Sequence, residues 1–150
     1  MKKIIVVGLS LAFLVACGST EENKGEVKGP SQEELNAKLK QEAAEASFAA
    51  ANGNQYEFGK KIKATGKIAF LMNKEREVFP VLTLITRESD HYGMYTVKVA
   101  QSGTKVTENE ITLKNGTKLT KGTIVTVYGA YDGKDKTGFP LISSTVIEAR

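Results

Sequence analysis

There is no tryptophan in this chain, one histidine, one cysteine and only three prolines in 150 residues. Each scarcity closes off a class of chemistry. A lone cysteine excludes an internal disulfide framework, and one histidine beside it leaves a transition-metal site short of good ligands, so no metal is expected. His91 stands between Asp90 and Tyr92 in a stretch that reads as a turn, where a histidine is solvated rather than a general base. There is no Gly-x-Ser-x-Gly elbow, no phosphate-cradling glycine loop and no carboxylate pair placed for acid–base work. The expectation is a protein without catalytic residues or cofactor. Asp132 and Asp135 flank Gly133 and offer a weak calcium reading, but the spacing falls short of an EF-hand loop and turn chemistry explains them.

What is present begins with Lys2 and Lys3, followed by an apolar stretch over residues 4–15 that is too short to remain in a bilayer as a spanning helix. Small Ala16 then precedes the lone Cys17. A plain secretory signal would leave a free thiol there, and an uncleaved anchor would need a longer apolar run. The Leu14-Val15-Ala16-Cys17 string resembles the cleavage motif of bacterial lipoproteins. That resemblance implies removal of residues 1–16 as a signal peptide, a diacylglycerol-type lipid anchor on Cys17, and a location on the extracytoplasmic face of the cell membrane. At about 0.8 kcal/mol per buried methylene, two acyl chains anchor stably where one is marginal. Residues 17–30 are small, polar and charged and read as a flexible tether.

Charge is unevenly placed: residues 18–55 carry four lysines against seven glutamates, whereas residues 56–150 carry 15 basic against 10 acidic side chains. A mildly basic domain behind an acidic leader suits a surface facing anionic headgroups or cell-wall polymers, and it is equally an ordinary solvated surface. Pro30-Ser31 with Glu34 three residues on makes a capping-box start, and Leu35, Leu39, Ala43, Ala46 and Ala50 fall on one weak stripe with Phe48 beside it. The reading is one helix over 31–51, ended by Asn52-Gly53-Asn54, so that residues 31–54 form a helix and linker.

From residue 55 the period changes to two. Ile62, Ala64, Gly66, Ile68 and Phe70 alternate with Lys61, Lys63, Thr65, Lys67 and Ala69; runs follow at 79–86 and 92–99, divided by Ser89-Asp90 and Gly93, and later at 123–131 and 139–148, joined by a hairpin at 132–135. Five strands with intervening turn signals predict a small closed or nearly closed barrel. Ile68, Phe70, Val81, Leu84, Val97, Val127, Ile142 and Val146 are expected inside it, with Lys61, Lys63 and Lys67 outside.

The strings YEFGKKIKATGKI at 56–68, LTKGTIVTVYG at 119–129 and PLISSTVIE at 140–148 resemble the tRNA-anticodon-binding-like OB-fold domains found in bacterial lipoproteins. Gly66 and Gly129 fall mid-strand, where a barrel strand bends or bulges. The resemblance implies a mainly β, five-stranded OB-fold barrel over 55–150 preceded by an N-terminal helix. It also implies a ligand face on the second and third barrel strands, with Lys61, Lys63, Lys67, Arg87, Tyr92, Tyr95 and Lys98 as candidate contacts. The bland alternative is that the tyrosines are ordinary strand residues and the lysines keep an edge soluble. Two functional expectations follow: a non-enzymatic binding or scaffolding protein of the envelope with a protein or oligosaccharide partner, and a nucleic-acid-handling envelope protein in conjugation, competence or phage-DNA exclusion.

Overall fold

A computed structural model describes residues 28–72 and 78–150. The expected signal peptide, Cys17 and most of the expected tether lie outside the described residues. Helix α1 spans Gln32–Glu42 and starts on the expected capping box: the Ser31 hydroxyl accepts the Glu34 amide at 3.2 Å, and the Glu34 carboxylate accepts the Ser31 amide at 2.8 Å. The single helix expected over 31–51 is corrected. The chain turns extended at Ala43, forms a short strand β1 (Ala44–Glu45) parallel to Ile62 and Lys63, and resumes as α2 (Phe48–Asn52), N-capped by Ser47.

The break has a packing cause. No α1 residue is buried, and Leu35, which heads the weak stripe, remains 45% exposed. Leaving the helix lets the backbone pair with the next strand and carries Phe48 and Ala51 to the end of the barrel. There Phe48 meets Tyr95 edge-on at 5.7 Å, Ala51 is fully buried, and the Tyr131 hydroxyl donates to the Ala51 carbonyl at 3.1 Å.

The remaining strands are β2 (Lys61–Met72), β3 (Val81–Glu88), β4 (His91–Val99), the short β5 (Lys105–Val106), β6 (Ile111–Thr112) and β7 (Lys118–Leu119), then β8 (Ile124–Lys134) and β9 (Pro140–Ala149). The sheet runs β2-β3-β4-β9-β8 and closes on itself through β8 and β2, with β4 and β9 parallel and the other barrel neighbours antiparallel. This is the five-stranded OB-fold barrel preceded by a helix, as expected. Its strands alternate as period two requires: Ile62, Ala64 and Ile68 on β2, Tyr95, Val97 and Val99 on β4, and Val125 and Val127 on β8 fill the interior.

Both ends are closed. The α2 end is described above, and the β5–β6–β7 sheet contributes Ile111, Leu113 and Leu119 to the same core at the other. Closure demands close backbone approach at Gly66 and Gly129, where a Cβ would collide with the carbonyls of Ile85 and Ser143. At Gly129 the β8–β9 register also shifts, as expected of a bulge.

Four details differ from expectation. Phe70 points outward and is 57% exposed, because a bulge between Ile68 and Phe70 inverts the alternation of β2 and turns Leu71 toward the core instead. Val81 is only half-buried, on the outward face opposite Met72. The hairpin is displaced: β8 continues through Lys134, with Gly133 beneath the Phe58 ring, and the chain turns between Asp135 and Phe139. Gly93, read as part of a turn, lies inside β4 against Phe48, where a Cβ would not fit.

Candidate binding face

The seven candidate contacts separate into three groups. Lys61 and Lys63 project from the first half of β2 and are engaged by carboxylates of the N-terminal segment, Lys61 with Glu42 and Lys63 with Glu45 at 3.5 Å. The Lys61 ammonium holds the Glu42 carboxyl below the usual range, with Lys38 adding to the effect. A third pair, Lys40 with Glu148, runs in the opposite sense and ties α1 to β9; it lowers the Glu148 carboxyl and raises the Lys40 ammonium. Among the described residues, then, two of the three β2 lysines are used internally.

Tyr95 is a correction. It is fully buried, because it shares the inward side of β4 with Val97 and Val99, and no ligand on the barrel exterior reaches it. Burial first, then the adjacent Glu88 carboxylate, pushes its phenol well above the ordinary value. Glu88 accepts the Tyr95 hydroxyl at 2.9 Å, the Thr86 hydroxyl at 3.2 Å and the Phe48 amide at 2.7 Å, so this carboxylate fastens α2 to the barrel. His91 is exposed beside it, 3.9 Å from the Glu88 carboxylate.

Lys67, Arg87, Tyr92 and Lys98 do share one surface, the outward side of β2, β3 and β4. The register sets it out in rows. Arg87 lies opposite Tyr92; Lys67 opposite Ile85, which is opposite Met94; Phe70 opposite Thr83, then Thr96, then Leu141 of β9; and Met72 opposite Val81, then Lys98, then Ser143. Six apolar side chains of this surface were missed by sequence reasoning: Phe70, Met72, Val81, Ile85, Met94 and Leu141. A signal existed. The run at 79–86 is apolar on both parities, and a barrel strand needs only one apolar side for its core.

The polar groups here are mutually satisfied. Asp132 accepts Ser143 Oγ at 2.7 Å and Lys98 Nζ at 3.2 Å, and these bonds lower its carboxyl. Burial works to raise Asp135, but hydrogen bonds from Thr137, Thr96 and the amides of Phe139 and Thr137 outweigh it and hold the carboxyl low. Both aspartates are thus occupied with the β8–β9 hairpin. Among the described residues no group of three or more potential metal ligands gathers.

At the corner of the face an open cleft runs toward the small sheet, lined by Phe70, Leu71, Glu108, Asn109, Thr120 and Lys121, with Lys121 Nζ 5.4 Å from the Phe70 ring centre. Chemically the surface offers apolar contact area and cations. No family model matches the chain, and no curated protein matches it.

Proposed function

We propose that the chain is a lipid-anchored protein of the extracytoplasmic membrane face whose OB-fold domain is a non-enzymatic binding or scaffolding module. The observation that carries the binding role is the outward side of β2, β3, β4 and β9. Phe70, Met72 and Tyr92 are exposed there, around half-buried Val81, Ile85, Met94 and Leu141. Contiguous exposed apolar area on a small domain marks an interaction site, since it is otherwise a solubility and aggregation cost. The anchor rests on the Leu14–Cys17 motif alone, and it would hold this face within reach of other envelope components.

The nucleic-acid reading would draw on Lys61, Lys63 and Lys67, and the engagement of the first two with Glu42 and Glu45 weighs against it. A pull-down from native envelope with the full chain, divided into nuclease-treated and untreated halves, separates the two. The binding reading expects the same envelope proteins in both halves and their loss with Met94→Asp. Recovery of nucleic acid, with protein partners lost on nuclease treatment, would overturn it. Cys17→Ala should move the protein from the membrane fraction to the medium or soluble fraction; retention in the membrane would sink the anchor.

A further inference from the structure

We infer that the occupant of the β2–β3–β4 face is a protein segment whose apolar side chains are flanked by aspartate or glutamate, seated by side-chain packing rather than by strand pairing. The inference rests on the binding reading above and adds the partner's chemistry.

At the centre of the face, strand pairing is closed off by topology. There β3 is hydrogen-bonded to β2 on one side and β4 on the other, and from Thr96 to Val99 β4 is in turn paired with β9. An added strand has no ladder to join at that centre, so affinity there must come from side chains; among the described residues, 91–95 of β4 are paired with β3 alone. The relief suits this. Thr83 and Thr96 face outward yet are buried, a floor of small side chains with Phe70, Ile85, Met94 and Leu141 around it.

The composition favours protein over nucleic acid. Both internal methionines of the chain, Met72 and Met94, stand on this face beside Ile85 and Leu141. Flexible, polarizable methionine adapts to apolar side chains, whereas a polynucleotide groove needs stacked aromatic platforms along a basic track. Charge then selects among proteins. Lys67 and Arg87 are exposed on the face with no carboxylate partner among the described residues, and Lys121 stands over Phe70. Of the nearby carboxylates, Asp132 and Asp135 already serve Lys98, Ser143, Thr96 and Thr137, and Glu108 shares the corner cleft with Lys121 and Phe70. An apolar surface bordered by Lys67 and Arg87, which have no carboxylate partner among the described residues, is complementary to an apolar segment with a negative border.

The test uses the full chain in the envelope of the cells that make it, with a photo-crosslinking phenylalanine analogue at Tyr92 and, in a second strain, at Ala130 on the outward side of β8. Adducts are digested and sequenced by mass spectrometry. The expected result is adducts at position 92 alone, onto segments rich in Leu, Ile, Phe or Met and flanked by Asp or Glu. Exposed ion pairs each contribute up to about fivefold in binding, so Lys67→Glu with Arg87→Glu should cut the yield by about fivefold or more, while Lys67→Arg with Arg87→Lys retains it. Unchanged melting temperatures exclude misfolding as the cause. Adducts that survive charge reversal, or that fall on segments flanked by lysine and arginine, overturn the acidic-partner inference and leave the binding reading standing. Nucleic-acid adducts at position 92, or none distinguishable from position 130, overturn both.

Discussion

Tyr92 and Tyr95 are three residues apart on one strand and live in different worlds. Tyr92 is 70% exposed and Tyr95 is sealed in the core with its hydroxyl on Glu88. Tyr95→Phe should destabilise the domain by about 1.5–3 kcal/mol, the usual scale for a hydrogen bond to a charged group, whereas Tyr92→Phe should change stability by less than about 0.5 kcal/mol. Urea unfolding of both variants checks this. A pH consequence follows from the same burial. Because the folded Tyr95 phenol is raised above the ordinary value of 10.0, the folded state holds its proton more tightly, so this contribution is complete below pH 10.0 and is lost as pH rises beyond it. Tyr95→Phe should flatten the alkaline fall in midpoint. The difference between the two tyrosines was legible, since Tyr95 shares its parity with Val97 and Val99 and Tyr92 does not; weighing aromatic type above position concealed it.

At the scale of elements, α1 is held differently from everything else. None of its residues is fully buried, Leu39 being half-buried, and its polar attachments to the barrel are the ion pairs Lys40–Glu148 and Lys61–Glu42, with Lys40 Nζ also 5.9 Å from the Tyr128 ring centre. Exposed pairs are screened within a Debye length of about 8 Å at physiological ionic strength, shrinking to about 3 Å at 1 M salt. Amide exchange over residues 32–42 should therefore accelerate in high salt while α2 stays protected. Acid should act likewise. Glu42 and Glu148 are lowered from 4.5 in the folded state, so their contribution is present above pH 4.5 and lost as pH falls through the lowered values. Equal protection of α1 across both titrations would contradict this. The capping box was readable from Ser31 and Glu34, but the end of α1 was not. Alanine favours helix throughout 43–51, and the competing gains, a β1–β2 ladder and the seating of Phe48 on Tyr95, are tertiary. The β2 bulge that exposes Phe70 was hidden for the same reason, because alternation continues through Ile68 with no local mark of a slip.

The whole molecule is one core closed at both ends, so its interior should fail as a unit. Val127 is fully buried between strands, and Val127→Asp should cost more than about 4 kcal/mol of a total that for such domains is about 5–15 kcal/mol. Collapse of the thermal transition and of dispersed amide resonances would report it; a native-like melt would contradict the placement of β8. The architecture was readable in the sequence because period-two runs, turn residues and mid-strand glycines at 66 and 129 all pointed one way. The site was half readable. Lysines and tyrosines advertise binding by type, yet the surface that stands out is made of Phe70, Met72, Ile85 and Met94, which in a sequence pass for core.

The order of attachment along the N-terminal segment has a mechanical consequence. A pull on the chain ahead of Lys28 reaches the α1 ion pairs first, the two-residue β1 ladder next, the Phe48 and Ala51 anchors after that, and barrel strands last. The weakest fastenings take the load earliest. Unwinding the 11 residues of α1 from about 1.5 to about 3.4 Å per residue yields roughly 20 Å of slack. With the proposed anchor on Cys17, the segment would act as a graded strain relief that lengthens under tension while the barrel, and the face it presents, keep their shape.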